Sequence, residues 1–320
     1  MSIEVLSPGL ATSVQAAPRT GFRHLGVAGA GALDAWSQAI ANLLVGNPPQ
    51  AATLEATLTG PTLRLERDAC VAVCGGGFEL CVDGIEVGDS RPLYLPAGST
   101  VRVGRARAGA RAYIAVRGGI QVEALLGSLS TDLRGGFGGF EGRLLRKGDR
   151  LDLAPDAGSG IRRRHVPGWW IDSACSDQVG PARVRVLPGS DATQPADALF
   201  AREWTVAAAS NRQGLRLTGE TVALRDGRER ISEPVAPGTI QLPGDGQPII
   251  LLADAQTHGG YPRMGHVIRA DWPLLAQRRP GDRLLFQPCS REEAVTALAR
   301  QRQQLARIRL AIRSRQDRHD

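Results

Sequence analysis

Lysine is almost absent from this chain: of 39 basic residues, Lys147 is the only one that is not arginine. Any mechanism that needs a Schiff-base lysine or a phosphate-loop lysine would therefore have to use that position. Aromatic residues supply only 4% of the chain and do not interleave with the arginine runs at Arg162–Arg164 and Arg300–Arg318, so a base-stacking nucleic-acid surface is not expected. No apolar run is long enough to cross a bilayer as a helix. The start of the chain carries Glu4 where an export leader would be basic, so no secretory signal is expected. The five cysteines, Cys70, Cys74, Cys81, Cys175 and Cys289, form no CxxC pair. Their odd count and wide spacing fit reduced thiols in the cytoplasm, not a disulfide framework or a metal finger.

What is present is a long chain, 42% apolar and with a formal charge of +7, that can bury a large core in one or two domains. Arginine holds carboxylate and phosphate bidentately, so anionic ligands suit it. From Ala52 to Val116 short strands alternate with Gly- and Pro-containing turns, which predicts a mainly β chain of sandwich or barrel type. One clear helix is expected from about Leu33 to Leu44, with Trp36, Ile40, Leu43 and Leu44 at helical spacing. GAGALD, Gly29 to Asp34, lacks the third glycine of a dinucleotide fingerprint. The glycine-rich run Gly127–Arg143 reads either as a flexible connection or as an anion cradle. A boundary is expected within Asp156–Gly168 and a short helix over Pro195–Arg202. Both halves end in a turn and a strand, Lys147–Leu153 and Pro280–Phe286, a faint hint of two related units. The division expected is 1–160 and 161–290 as β units, then 291–320 as a basic amphipathic tail with Val295, Leu298, Leu305, Ile308 and Ile312 at helical spacing.

The stretch Gly238–Asp282 carries the chemistry. A strand signal at Thr239–Leu242, a turn at Pro243–Gly246 and an apolar strand over Pro248–Ala253 lead into a loop holding Gln256, His258, Gly259, Gly260 and Tyr261. Glycines there can adopt positive φ and admit a ligand close to the backbone; the same features also describe a plain surface turn. Arg212 and Arg216, in Ser210–Gly219, are placed to form one cationic patch for a carboxylate or an oxyanion. Glutamine offers both a donor and an acceptor, so Gln241 and Gln256 suit the recognition of an amide. Histidine is the residue type suited to proton transfer near neutral pH, which makes His258 the candidate base, or else an idle loop residue. Tyr261 could donate a hydrogen bond. Asp34 reads as a substrate ligand or as the carboxylate of a helix start, and Glu55 as a ligand or an ion-pair partner. No metal site is expected.

The order of motifs ALDAWSQAIANLLVGN, RAYIAVRGGI, LGSLSTD, RLLRKGDRLDL, SNRQGLRLTG, SEPVAPGTIQLPGDGQPIILLADAQTHGGYPR and AQRRPGDRLLF resembles the biotin-dependent carboxyltransferase, or allophanate hydrolase subunit 2, family from about Gly21 to Phe286. The resemblance implies a pair of cyclophilin-like β-barrel units and one of two activities. The first is cleavage of 5-oxoproline to glutamate, as the C subunit of an ATP-dependent 5-oxoprolinase. ATP and Mg²⁺ would be shared with a KipI-like B subunit, in company with a LamB/YcsF-like A subunit. The alternative is carboxyl transfer from biotin to urea or a related amide. Biotin would then arrive on another protein, because neither methionine precedes a lysine. A third reading is a regulatory binder of a KipI-like kinase inhibitor. Thr20, Asn211 and His258 depart from the family's usual residues.

Overall fold

The computed structural model describes residues 2–154, 161, 163–172, 180–189, 191, 199–222 and 231–316. Residues 195–198 of the expected helix and 156–160 and 162 of the expected boundary lie outside the described residues, as do Cys175 and Arg318; Leu199 and Phe200, at the end of the expected helix, are helical. The chain forms two compact units: Met1–Arg19, Ala30–Ala174 and Leu305–Asp320 make the first, and Thr20–Gly29 with Cys175–Gln304 the second. Among the described residues no helix is long and apolar enough to cross a membrane.

The first unit is mainly β, as the spacing of turns predicts. Its strands are β1 (Ser2–Ser7), β2 (Ala11–Gln15), β3 (Thr53–Thr57), β4 (Thr62–Leu65), β5 (Ala69–Gly75), β6 (Phe78–Val82), β7 (Ile85–Glu86), β8 (Leu93–Leu95), β9 (Thr100–Ala106), β10 (Arg111–Val116) and β11 (Arg150–Asp152). They form a six-stranded sheet, ordered β11-β1-β4-β9-β6-β7, and a five-stranded sheet, ordered β2-β3-β10-β5-β8. One core takes alternate residues from both sheets, among them Leu63 and Leu65, Val101 and Val103, Val71 and Val73, and Ile114 and Val116. Strand β5 reads as an unbroken apolar run because both of its faces are covered. Val71 and Val73 enter that core, while the helix Ala35–Leu44 packs on β5 and β10 and buries Cys70, Ala72 and Cys74 on the other face.

Two sequence-level alternatives resolve in this unit. The glycine-rich run Gly127–Arg143 is tied down, not a flexible connection. Thr131 donates both its N–H and its hydroxyl to Val14 O, at 3.0 and 2.9 Å. The N–H groups of Arg134 and Gly135 that could have cradled an anion meet the chain's own Asp132 carboxylate, at 3.1 and 2.8 Å. Gly139, at φ 55°, has no room for a side chain, since a Cβ would lie 1.9 Å from Thr131 Oγ1. A Gly139→Ala variant is expected to lose at least about 1 kcal/mol, because the backbone strain adds to the clash. Its urea midpoint is the measurement, and an unchanged midpoint would contradict the close packing.

Asp34 and Glu55 both belong to this unit's interior. Asp34 caps the helix, accepting from Ser37 N at 2.9 Å and from Ser37 Oγ at 2.6 Å. Glu55 Oε2 accepts from Leu33 N at 2.9 Å and from the Tyr113 hydroxyl at 2.7 Å. The same Tyr113 oxygen accepts from Asp34 N, at 2.7 Å. Burial first, then the Glu55 and Asp34 carboxylates, push the Tyr113 phenol well above its usual range. These bonds account for both carboxylates as structural groups, the second role the sequence allowed. An Asp34→Ala variant should lose ~1–2 kcal/mol of stability, as buried N-caps do. Calorimetry tests this, and an unaltered melting temperature would count against the cap.

The second unit is a closed barrel of seven strands, ordered β12-β19-β16-β17-β14-β13-β20. These are β12 (Ala182–Pro188), β13 (Glu203–Val206), β14 (Gly214–Thr218), then β15 (Glu233–Pro234) outside the barrel, β16 (Thr239–Gln241), β17 (Ile249–Leu251), β18 (His258–Gly259), also outside, β19 (Arg263–Val267) and β20 (Arg283–Pro288). Parallel pairing of β12 with β20, Val184 opposite Phe286, closes the ring. The predicted hairpin is present: Ile240 faces Ile250 across β16 and β17, and Gly246 N donates to Pro243 O in the turn. Trp204, Ile240, Ile250 and Leu284 are fully buried. Outside the barrel, β15 pairs with β18, setting Pro234 opposite His258.

Candidate functional site

The end of β17 runs into Leu252–Pro262, the loop singled out by sequence, and two arginines hold that loop in place. Asn211 Oδ1 accepts from Gln213 N at 2.8 Å, turning the chain just before β14. This sets Arg212 against the start of the loop. Its carbonyl accepts from Asp254 N at 3.0 Å, and its Nε and Nη2 each reach an Asp254 oxygen at 2.9 Å. Asp254 is buried and Arg212 largely so, with side chains 2% and 11% exposed. The fork-to-fork pair is the geometry in which arginine and carboxylate bind most strongly. Further along, Arg23 donates to Val235 O and, at 3.3 Å, to Gln256 O. Burial lowers the Arg23 pKa from its ordinary value. Val235 N in turn donates to Thr257 O, which stitches β15 to the loop.

Between these anchors lies a pair of side-chain amides. Gln256 Nε2 donates to Gln241 Oε1 at 3.4 Å. Gln241 is 1% exposed, and its Nε2 has no hydrogen-bond partner among the described residues. Leaving a buried amide donor unpaired costs free energy, so such a group is strained, or serves an ordered water or a ligand. Gly259 lies against it, where a Cβ would come within 2.6 Å of that nitrogen. Gly259 is therefore glycine for close approach, not for the positive φ the sequence suggested.

The remaining candidates sit further out. His258 is exposed, with Nδ1 3.0 Å from Thr257 Oγ1. Tyr261 is half exposed. Arg216 lies exposed on β14, while the Arg212 charge is already met by Asp254, so the expected single cationic patch does not form. Asp34 and Glu55 are in the other unit. Sequence reasoning passed over Asp254, which sits inside the singled-out stretch but 42 residues from its partner. Arg23 is not among the sequence's candidate residues either.

Below the loop, His266 Nδ1 lies 3.4 Å from Thr239 Oγ1, and burial lowers its pKa. The folded chain thus resists protonating a histidine that the unfolded chain protonates freely below about 6.5. Stability from this group is present above that pH and is lost as pH falls through and below it, because the unfolded state binds more protons. A His266→Gln variant should flatten the stability slope below pH ~6.5. Urea midpoints measured against pH test this, and identical slopes would exclude His266 as the source.

Neither the lone lysine nor the glycine-rich run offers a phosphate site, and no three-ligand metal cluster is found among the described residues. Lys147 is exposed in a turn, and the glycine-rich N–H groups are taken by Asp132.

Comparison with known proteins agrees with this architecture. The chain is 40% identical over 301 residues to the 5-oxoprolinase C subunit of Escherichia coli (strain K12), covering 92% of this chain and 94% of that protein. It is 35% identical to the protein of the same name from Haemophilus influenzae, covering 91% of this chain and 93% of that one. It also superposes on the crystal structure of the Kluyveromyces lactis urea carboxylase with a TM-score of 0.88 at 29% identity. That match covers 96% of this chain but only 29% of the carboxylase. With a family pattern matched over residues 25–288, the chain belongs to the family of the carboxyltransferase domain, subdomain A and B.

Proposed function

We propose that the chain is the C subunit of an ATP-dependent 5-oxoprolinase, which opens the lactam of 5-oxoproline to give L-glutamate. The two relatives bearing that name, aligned nearly end to end, support the reading. The observation that carries the chemistry is the buried Gln241 Nε2, unpartnered among the described residues, beside Gln256. Gln241 Nε2 donates to the lactam oxygen. Gln256 Oε1 takes the lactam N–H. A flat amide edge thus meets a flat amide pair. Gly259 and Gly260 let the ring lie close, Arg216 draws the substrate carboxylate, and His258 and Tyr261 at the rim handle protons.

In this reading ATP and Mg²⁺ come with a KipI-like B subunit, since Lys147 and the glycine-rich run are not arranged to hold phosphate, and a LamB/YcsF-like A subunit completes the enzyme. The purified chain, given ATP, Mg²⁺ and 5-oxoproline, should make no glutamate; the three proteins mixed should. Full activity of the chain alone would refute the division of labour. The urea carboxylase likeness supports a second reading, carboxyl transfer between biotin on another protein and urea or a related amide. Gln241 and Gln256 suit a ureido group as well as a lactam. Incubating the assembled proteins with each substrate pair separates the two readings by the product formed.

A further inference from the structure

The helix Arg291–Gln316 offers its solvent face in a pattern that a lone surface helix does not need. It starts on a reciprocal cap, with Ser290 N donating to Glu293 Oε2 at 2.8 Å and Glu293 N to Ser290 Oγ at 3.2 Å, and runs for 26 residues. One stripe faces inward: Leu298, Leu305 and Ile308 are partly buried and Ile312 is fully buried. The opposite stripe, Ala299, Gln303, Ala306 and Leu310, is exposed, and Leu310 is 66% accessible. Its spacing of four, three and four is that of a coiled-coil seam.

Arginine occupies the positions flanking that seam: Arg300 and Arg307 on one side, Arg302 and Arg309 on the other. All four are exposed, and none has a carboxylate partner among the described residues. Arg64, Arg107, Arg143, Arg185 and Arg283 pair with carboxylates, whereas exposed Arg216, Arg313 and Arg315, like the four beside the seam, have no carboxylate partner among the described residues. Two small alanines on the seam let a second helix approach closely.

We infer that this face docks a helix of a different protein, one carrying aspartate or glutamate at its flanking positions and apolar residues along its seam. The charge pattern excludes a second copy of the same helix, because arginine would face arginine along both edges. A membrane surface does not fit, since the stripe with most of the helix's leucine and isoleucine is turned inward. Nucleic acid would use the arginine rows, but the strip between them has mostly alanine and leucine where phosphates and sugars would need donors. An apolar centre with a charged rim is what a protein partner uses.

The full-length chain is titrated with three probes. These are a helical peptide of about four heptads with leucine on its seam and glutamate at its flanks, the same peptide with lysine flanks, and a DNA duplex of about 20 base pairs. The acidic peptide should bind and the basic one should not. The Arg302→Glu/Arg309→Glu variant should weaken the acidic peptide by about tenfold or more and gain affinity for the basic one. Leu310→Asp, at an exposed position, should weaken it without moving the melting temperature. Equal binding of both peptides, or of the acidic peptide to wild type and variant, would overturn the inference. So would a duplex bound more tightly than the acidic peptide, which would make the face a nucleic-acid surface.

Discussion

Truncating Asp254 to alanine is expected to destabilise the chain by about 3–5 kcal/mol, the range seen when one partner of a buried ion pair is removed. The loss exceeds what the pair itself is worth, because Arg212 would stay charged in a site that water barely reaches. A double variant, Arg212→Met/Asp254→Leu, removes both charges and should recover most of the loss, since apolar pairs often replace buried ion pairs at little cost. Urea midpoints of wild type, Arg212→Met, Asp254→Leu and the double variant form a closed cycle, with a coupling term expected between residues in direct contact. If Asp254→Ala unfolds at the wild-type midpoint, the pair is not holding the loop. A further consequence bears on function: Arg212→Ala should reduce activity through loss of loop order, so it should raise KM as well as lower kcat. A pure kcat effect with unchanged stability would instead return Arg212 to the reacting atoms.

The largest effect on turnover is expected at Gln241. Replacing it with methionine keeps the buried volume and removes both the donor and the long bond from Gln256 Nε2, and the assembled enzyme should lose roughly 10²–10³ in kcat, as when one oxyanion donor is deleted. Its stability should hold or rise, because an unpaired buried amide is removed from the fold. Gly259→Ala reaches the same atom from the other side. Its Cβ would lie 2.6 Å from Gln241 Nε2, and the contact is with the far end of a side chain that can rotate away. Activity should therefore fall in parallel with Gln241→Met while the unfolding free energy from urea titration stays within about 0.5 kcal/mol of wild type. Full turnover by both variants would remove the amide pair from the proposed site.

Much of the fold was legible in the residues. The strand period at Leu63 and Leu65 or Val101 and Val103 marks one buried face, and the helix at Ala35–Leu44 stands where its spacing puts it. The Pro243–Gly246 turn and the strands around it follow from turn chemistry that acts within a few residues. The candidate loop was visible for the same reason, since an apolar strand that breaks into Gln, His, Gly, Gly and Tyr is a local signal.

What the residues alone could not settle is where each polar group spends its charge or its hydrogen bonds. Arg212 looked like a site residue and Asn211 like a departure from the family's pattern, but only the fold sets Arg212 against Asp254 and Asn211 into its turn. The glycines of Gly127–Arg143 read as looseness until the packing of Gly139 on Thr131 and of Asp132 on its own N–H groups showed a rigid turn. Short-range periodicity and turn chemistry are written into neighbouring residues. Ion pairs, orphaned donors and close approaches join residues far apart in the chain, so the sequence determined the elements and the tertiary structure decided which side chains are left for a ligand.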